Sequence, residues 1–468
     1  MFITEEKLLA MRMREQGSSM ERIIHDLIKD HKTEHMVEGV EYYHNENDIL
    51  DRKITFYDEN GKEQVDLDAI NHQVPHNYHK LLVDQKVSYL LGKPLTVSAE
   101  PDKFRGLINE YLDEGFDDKI KEIGKNCSNK GVEYLHPYIN EQGDFKFVIL
   151  PAEQVIPIYD TDYQENIVAF IRYYPVYVND EKRLRAEFWD KETVTYYLQD
   201  ASGLFQLEDM QEGRSNPDAH YYIDGEGYGW EAVPLIEFRN NEERYPDLKY
   251  YKKLIDVYDL VVSDMTNDLV GIQKLIYVLK GYGGQDLNEF MANLRYYRAI
   301  KTDGQGGVDL LQADIPVDAI DKYLEKAEEN IFTFGQGANI KTDKFGQSPS
   351  GVALKFIFHL LDQKADTMAR KFSFAIKRFV WFLKEYLRIT GQYSTPDDAM
   401  KSVHVTFNKS MLVNELEKVQ IALQSEGLAS RETRVANHPW VENEHEELEK
   451  IREEEAEGPI DLDNVEEG

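Results

Sequence analysis

The sequence predicts a multi-domain α+β protein. An α+β body comes first, then two antiparallel helices carrying a small α/β insert, a flexible loop, a very long helix and a C-terminal helical part. Three observations predict this. The chain has 468 residues, too many for one ordinary core. Short alternating apolar runs fill residues 131 to 238. From Pro246 onward the pattern becomes helix, insert, helix, glycine-rich loop and about forty residues almost free of helix breakers.

Residues 4 to about 38 read as helices, with Leu8, Leu9, Met11, Ile23, Ile24, Leu27 and Ile28 on apolar faces. Asp58-Glu59-Asn60-Gly61 is a hairpin turn in a polar stretch. A helix follows from about His76 to Leu91, ended by Gly92 with Pro94 just beyond. Leu95 to Ser98 is extended, and a single helix is expected from about Lys103 to Ser128. The runs at Phe145–Ile149, Ile167–Tyr174, Arg183–Trp189 and Thr193–Leu198 are separated by turn residues, as in a β-meander.

Pro246 and Asp247 occupy favoured first-turn positions of a helix whose stripe is Leu248, Tyr251, Ile255, Tyr258, Val262, Met265 and Leu269. The pattern breaks near Gly271. The insert then has strands at Leu275–Leu279 and Val308–Leu311 and a short helix at Leu287–Tyr297. A returning helix carries Val317, Ile320, Leu324, Ala327 and Ile331. Two helices of similar length around an insert must run antiparallel, and their apolar stripes need further cover, for which neighbouring copies in an oligomer are the natural source.

Gly335 to Ser350 is rich in turn formers, and Ser348-Pro349 starts the long helix. Its face is Leu361, Ala365, Met368, Phe372, Ile376, Phe379, Leu383 and Leu387. At 1.5 Å per residue it is roughly 60 Å long, enough to join separate bodies. Between Gly351 and Thr390 eight basic residues stand against three acidic ones, a local +5 in a chain of net charge −33.

That overall charge argues against nonspecific nucleic-acid binding over the outer surface, though not against a local basic site. Cys127 is the only cysteine, which excludes a disulfide scaffold. No signal peptide is expected from MFITEEKLLAMRMREQ, and no apolar run approaches a membrane span, so a reducing, soluble compartment is expected. His72, His76 and His79 have no Cys or acidic partner in a ligand pattern, and Pro75 interrupts any helix there; they read as polar loop and helix start rather than a metal site. Asp461-Leu462-Asp463 lacks the central Gly and terminal Glu of a calcium loop. There is no phosphate-binding G-x-x-x-x-G-K-[ST], and neither catalytic site, metal nor cofactor is expected. Val441 to Gly468, with thirteen acids against Lys450 and Arg452, reads as a solvated tail.

Several words fall in a telling order: Tyr89-Leu90-Leu91-Gly92-Lys93-Pro94, Tyr258 to Asp268, Val278-Leu279-Lys280-Gly281-Tyr282, Asp314-Ile315-Pro316, and Phe345-Gly346-Gln347-Ser348-Pro349-Ser350-Gly351-Val352-Ala353-Leu354-Lys355. Over roughly residues 70 to 450 the chain resembles the portal proteins of tailed bacteriophages of the long-tailed siphovirus type. The resemblance implies a ring of subunits, twelve in the virion, around a DNA channel at the capsid vertex. It implies residues 1–245 as most of the wing, 246–270 and 316–334 as the stem, 271–315 as the clip, 335–350 as the tunnel loop, 351–395 as a long kinked wing helix, and 396–468 as the crown and acidic tail. The departure is at the end, where only a short acidic segment follows Trp440.

On this reading the tunnel loop presents Lys341, Thr342, Asp343, Lys344, Phe345, Gly346, Gln347 and Ser348 to DNA, and Arg295, Tyr296, Tyr297 and Arg298 of the clip anchor docking partners. The implied partners are double-stranded DNA, the terminase large subunit, a head-completion or adaptor protein, and the major capsid and scaffold proteins, with no membrane; assembly is in the host bacterial cytoplasm. The rival readings are a magnesium-dependent nuclease and another structural oligomer of the virion, a capsid or tail component.

Overall fold

The computed structural model describes residues 3–14, 19–271, 276–280, 307–311, 316–339, 351–410, 423–441 and 444–457, apart from 59, 68, 210–214, 395, 397, 437, 439 and a few side chains at segment ends. Strand β1 (Ile3–Thr4) and helices α1 (Glu5–Arg14), α2 (Met20–Lys29) and α3 (Glu34–Tyr43) open the chain. Ile23, Ile24 and Leu27 of α2 are buried at the spacing expected, as is Leu8 of α1, whereas Leu9 is exposed. The hairpin β2 (Thr55–Tyr57) and β3 (Glu63–Val65) pairs across the predicted turn, where Gly61 has φ 72° and the Asp58 carboxylate accepts from the Asn60 and Lys62 amides.

Helix α4 (Tyr78–Leu91) and strand β4 (Thr96–Ser98) follow. The single helix expected over 103–128 is two helices, α5 (Asp102–Tyr111) and α6 (Glu114–Lys130). The break comes from Asp113, whose Oδ1 accepts the Phe116 amide at 2.9 Å and caps a new helix. Helix α6 ends at Gly131, which has φ 93° and sits where a Cβ would lie 2.1 Å from the Arg244 carbonyl oxygen.

Strands β5 (Val132–Ile139), β6 (Phe145–Leu150), β7 (Val155–Tyr159), β8 (Ile167–Val178), β9 (Glu181–Trp189), β10 (Thr193–Gln199), β11 (Phe205–Leu207), β12 (Asp218–Ala219), β13 (Tyr221–Ile223), β14 (Glu226–Tyr228) and β15 (Ile236–Arg239) form the β part. The meander is one sheet in the order β1-β7-β8-β9-β10-β11, with β12 also on β10. Helix α2 covers one of its faces through Ile156, Ile158, Ile171 and Ala186. A second sheet runs β15-β5-β6.

Helix α7 (Lys252–Gly271) begins later than expected, after a 3-10 turn at Asp247–Tyr250. Strands β16 (Ile276–Lys280) and β17 (Gly307–Leu311) pair antiparallel, and α8 (Val317–Phe334) returns along α7. The short helix expected at Leu287–Tyr297 lies outside the described residues.

Helix α9 (Gly351–Ile389) runs for 39 residues without a break. The eight apolar residues of its predicted stripe are all at most 1% exposed, and they form the spine of the main core with Phe104, Phe116, Ile120, Ile123 and Phe238. The C-terminal part contains α10 (Ala399–Ser402), β18 (His404–Thr406), α11 (Arg431–Ala436) and α12 (Glu444–Glu457). Strand β18 pairs antiparallel with β4, so this stretch returns to the main body.

Candidate functional site at the root of the helical hairpin

The two helices of the hairpin are antiparallel because the start of α7 meets the end of α8. Leu248, Tyr251 and Ile255 pack with Ile331 and Phe332, and the cluster is closed by Tyr42 of α3 and Leu82 of α4. A strap formed by the chain between α3 and α4 then follows α7 away from the body. His76 places its backbone N at 3.0 Å and its Nδ1 at 2.7 Å from Asp259 Oδ1, while Asn47 Nδ2 donates to Oδ2 at 2.6 Å. The Val74 amide donates to Ser263 Oγ, the His72 amide to Asn267 Oδ1, and Arg52 pairs with Asp264 at 2.6 Å. Asp259, Ser263 and Asn267 lie four apart on one face of α7, with Asp264 at its edge. They dock the helix rather than hold a metal. His79 is also structural: its Nδ1 meets the Tyr251 hydroxyl at 2.8 Å. Among the described residues no group of three His, Cys, Asp or Glu side chains could hold a metal ion.

Other parts of the hairpin stay exposed. Val257, Leu260, Leu269 and Val270 of α7 and Val317, Tyr323 and Phe334 of α8 all present large apolar side chains to solvent. A chain of this composition does not normally leave so many in one feature without a partner.

The loop that follows α8 starts from a fixed root. Lys364 of α9 donates to the Gly335 carbonyl at 2.9 Å and pairs with Asp247 at 3.0 Å. Lys86 of α4 donates to Asp247 Oδ2 at 2.6 Å and to Asn240 Oδ1 at 2.7 Å; Asn240 in turn donates to Asp247 Oδ1 at 2.8 Å. One carboxylate thus serves two ammonium groups, and with them ties together α4, the entry to α7, the end of α8 and α9. Burial opposes the charge on Asp247, but Lys364 and Lys86 hold its carboxyl well below the usual carboxylate range. Burial pushes the Lys86 ammonium down to about 8 against the pull of Asp247, and the His79 imidazole down to about 4.

A second clasp lies three residues on. Gln85 Nε2 donates to the Ala338 carbonyl at 2.9 Å and the Ala338 amide donates back to Gln85 Oε1 at 3.1 Å. Gly337 lets the chain pass this close to α4, since a Cβ there would be 2.2 Å from Leu82 Cδ2. A cleft of about 500 Å³ opens beside the node, lined by Thr333, Gln336, Lys364 and Thr367 among others.

Lys341, Thr342, Asp343, Lys344, Phe345, Gly346, Gln347 and Ser348 lie outside the described residues, as do Arg295, Tyr296, Tyr297 and Arg298. The structure brings together a set that the sequence reading did not single out: Gln85, Lys86, Asn240, Asp247 and Lys364. One signal was available. Lys86 sits within Leu81-Leu82-Val83-Asp84-Gln85-Lys86-Val87-Ser88-Tyr89-Leu90-Leu91, a stretch apolar enough that a lysine in it asks for a buried partner.

Residues 24–459 match the family described as phage portal protein, SPP1 Gp6-like, and the chain belongs to that family. It is 40% identical over 435 residues to the portal protein of Bacillus phage SPP1, which covers 92% of this chain and 86% of that protein. It is 30% identical over 441 residues to the portal protein of Clostridium phage phiCD119, covering 90% of this chain and 92% of the relative. Among solved structures, a chain from the neck of an empty GTA particle computed with C6 symmetry aligns at 11% identity and TM-score 0.45, over 77% of this chain and 90% of its own. A chain from the virion of a native gene transfer agent aligns at 11% and 0.44, over 77% and 89%.

Proposed function

We propose that copies of this phage portal protein close into a ring, twelve in the virion, around an axial channel for double-stranded DNA at the capsid vertex. The ring admits DNA during packaging and releases it during ejection. In this reading α7 and α8 are the stem, the insert at 271–315 is the clip that docks the terminase large subunit and then the head-completion or adaptor protein, and 335–350 is the tunnel loop. Residues 1–245 and the long helix form the wing, with the C-terminal part as crown. The major capsid and scaffold proteins surround the ring during assembly in the host cytoplasm. The protein acts as a conduit, without catalysis of its own.

The observation that carries this reading is the double clasp at the loop's root. Lys364 holds Gly335 and Gln85 holds Ala338 against helices fixed in the main core, so the base from which the loop leaves is fixed. The exposed apolar side chains of α7 and α8 fit a helical hairpin that packs between copies. The overall charge fits sliding, because a channel that gripped phosphate along its wall would impede DNA.

Class averages of the purified protein viewed down its axis test the proposal. A ring with an axial hole is expected. A filament or closed shell would favour another structural oligomer, and magnesium-dependent cleavage of plasmid by the pure protein, lost on mutating one acidic cluster, would favour a nuclease.

A further inference from the structure

The long helix has a second face. Arg370, Phe374, Lys377, Arg378 and Trp381 follow one another at i, i+4, i+7, i+8 and i+11, which puts them on the side opposite the buried stripe. Phe374 is 74% exposed. Among the described side chains, the basic residues elsewhere on the helix are taken: Lys364 by Asp247, Lys371 by Glu242, Lys384 and Arg388 by Glu385. Arg370, Lys377 and Arg378 have no carboxylate at ion-pair distance among the described residues. Arg378 instead lies 4.4 Å from the ring centroid of Trp381 and 5.0 Å from that of Phe382. In a chain of net charge −33, three cations without acids around an exposed phenylalanine call for an acidic, partly apolar partner.

The same chain carries such a surface. In the β2–β3 hairpin Thr55 stands opposite Val65 and Tyr57 opposite Glu63, so Tyr57 and Val65 share a face, and Leu67 follows in the turn just beyond β3. Tyr57 is 73%, Val65 46% and Leu67 91% exposed. Glu63 stands opposite Tyr57, and Asp58 and Asp66 lie in the same stretch against Lys62. A two-stranded ribbon is marginal in water by itself, and this one shares no substantial packing with any other described element. It belongs to the chain between α3 and α4 and shares no substantial packing with α9.

We propose that the Tyr57–Val65–Leu67 face of the hairpin docks on the Arg370–Phe374–Trp381 face of α9 in a second copy of this chain, as an arm reaching from one subunit to the next. The contact is heterologous: one surface gives and a different one receives, the arrangement that closes into a ring when repeated. Apolar side chains meet at its centre, and carboxylates meet cations at its edge. Nucleic acid is the less favoured occupant of the basic face, because three cations are few against the repulsion of a chain of net charge −33. The inference rests on the ring reading above and adds to it which surfaces meet.

Paired cysteines test it. Cys127 is fully buried and gives a silent background. Phe374→Cys combined with Val65→Cys, and separately with Tyr57→Cys or Leu67→Cys, is oxidised in the assembled full-length protein and run without reductant. The expected result is a ladder of covalent multimers for at least one pair, absent from each single variant. Rings by electron microscopy without any ladder, or only an intrachain link in the monomer band, would overturn the arm while leaving the ring reading intact. Absence of oligomers altogether would remove both. As a second arm, Arg370→Glu with Arg378→Glu should lose the ladder, and adding Asp58→Lys with Glu63→Lys should restore it. If the reversed helix instead loses affinity for labelled duplex DNA while the ladder persists, the face serves nucleic acid and the proposal is wrong.

Discussion

Lys86 Nζ and Asp247 Oδ2 lie 2.6 Å apart with both side chains almost out of solvent, and Lys364 reaches the same oxygen at 3.0 Å. Two cations share one anion, so the members are not equivalent. Asp247→Ala leaves two ammonium groups facing each other and should destabilise by about 3–5 kcal/mol, the usual cost of an orphaned buried charge. Lys86→Met leaves Asp247 paired with Lys364 and should cost clearly less. Thermal unfolding of the two variants side by side checks the order; equal losses would show that the aspartate is not the hub.

The buried His79 sets an acid limit. Its folded-state value is about 4, below its ordinary 6.5. The unfolded chain therefore takes up a proton first as pH falls, and stability declines between about 6.5 and about 4. Glu133 works in the opposite direction, since burial pushes it up to about 7, so the parent curve alone mixes the two. His79→Gln removes one contribution. Relative to the parent it should lose less stability over that window, by up to about 3 kcal/mol. Parallel pH–stability curves would contradict this.

At the loop's root, Gln85→Ala deletes both hydrogen bonds to Ala338. The loss should be about 1–3 kcal/mol, felt locally. Hydrogen exchange at the Ala338 amide should quicken while α4 amides keep their protection. Gly337→Ala should destabilise through contact with Leu82, and the clash should be partly relieved in Gly337→Ala with Leu82→Ala, as a non-additive double mutant.

Lys341→Glu with Lys344→Glu should leave rings and procapsids intact but slow or abort DNA packaging, if these lysines touch phosphate in the channel. Any such contact should weaken with added salt through counterion release. Full-length genome packaged and retained at the parental rate would remove them from the channel.

Arg295→Ala with Arg298→Ala should leave rings intact and weaken terminase binding. Their motivation is position, within the insert carried by α7 and α8, and the readout is motor affinity for assembled rings. Unchanged affinity would assign these arginines to packing within the insert or against the next subunit.

What could be seen in the sequence was what repeats over short distances. The α9 stripe, the helix–insert–helix order and the Asp58–Gly61 turn all depend on spacings of two to four residues, and each has its counterpart in the structure. The break at Asp113 was missed because a capping aspartate looks like any surface acid within a helical pattern. Strand β5 lies inside the strand-rich stretch from 131 but not among its named runs, because Glu133 and His136 interrupt an otherwise apolar segment; both are buried, Glu133 against Lys130 and His136 against the Pro234 carbonyl. The Asp247 node was harder still. Its members come from positions 86, 240, 247 and 364, and Asp247 has the look of an ordinary first-turn acid. Only the fold places them together.

The strand pairings also set a clock for the newborn chain. Ile3 pairs with Ile158 and Thr4 with Tyr159, so the first strand has no partner until some 155 residues later have emerged. Strand β4 waits longer, since Ser98 pairs with His404. At about 5–20 residues per second, those 306 intervening steps take roughly 15–60 s. During that time β4 is without its partner strand, and the pairing with β18 can form only after the long helix has been made. Synthesis thus sets the order in which the parts become available: the meander first, the helical spine next, and the seam at β4 last.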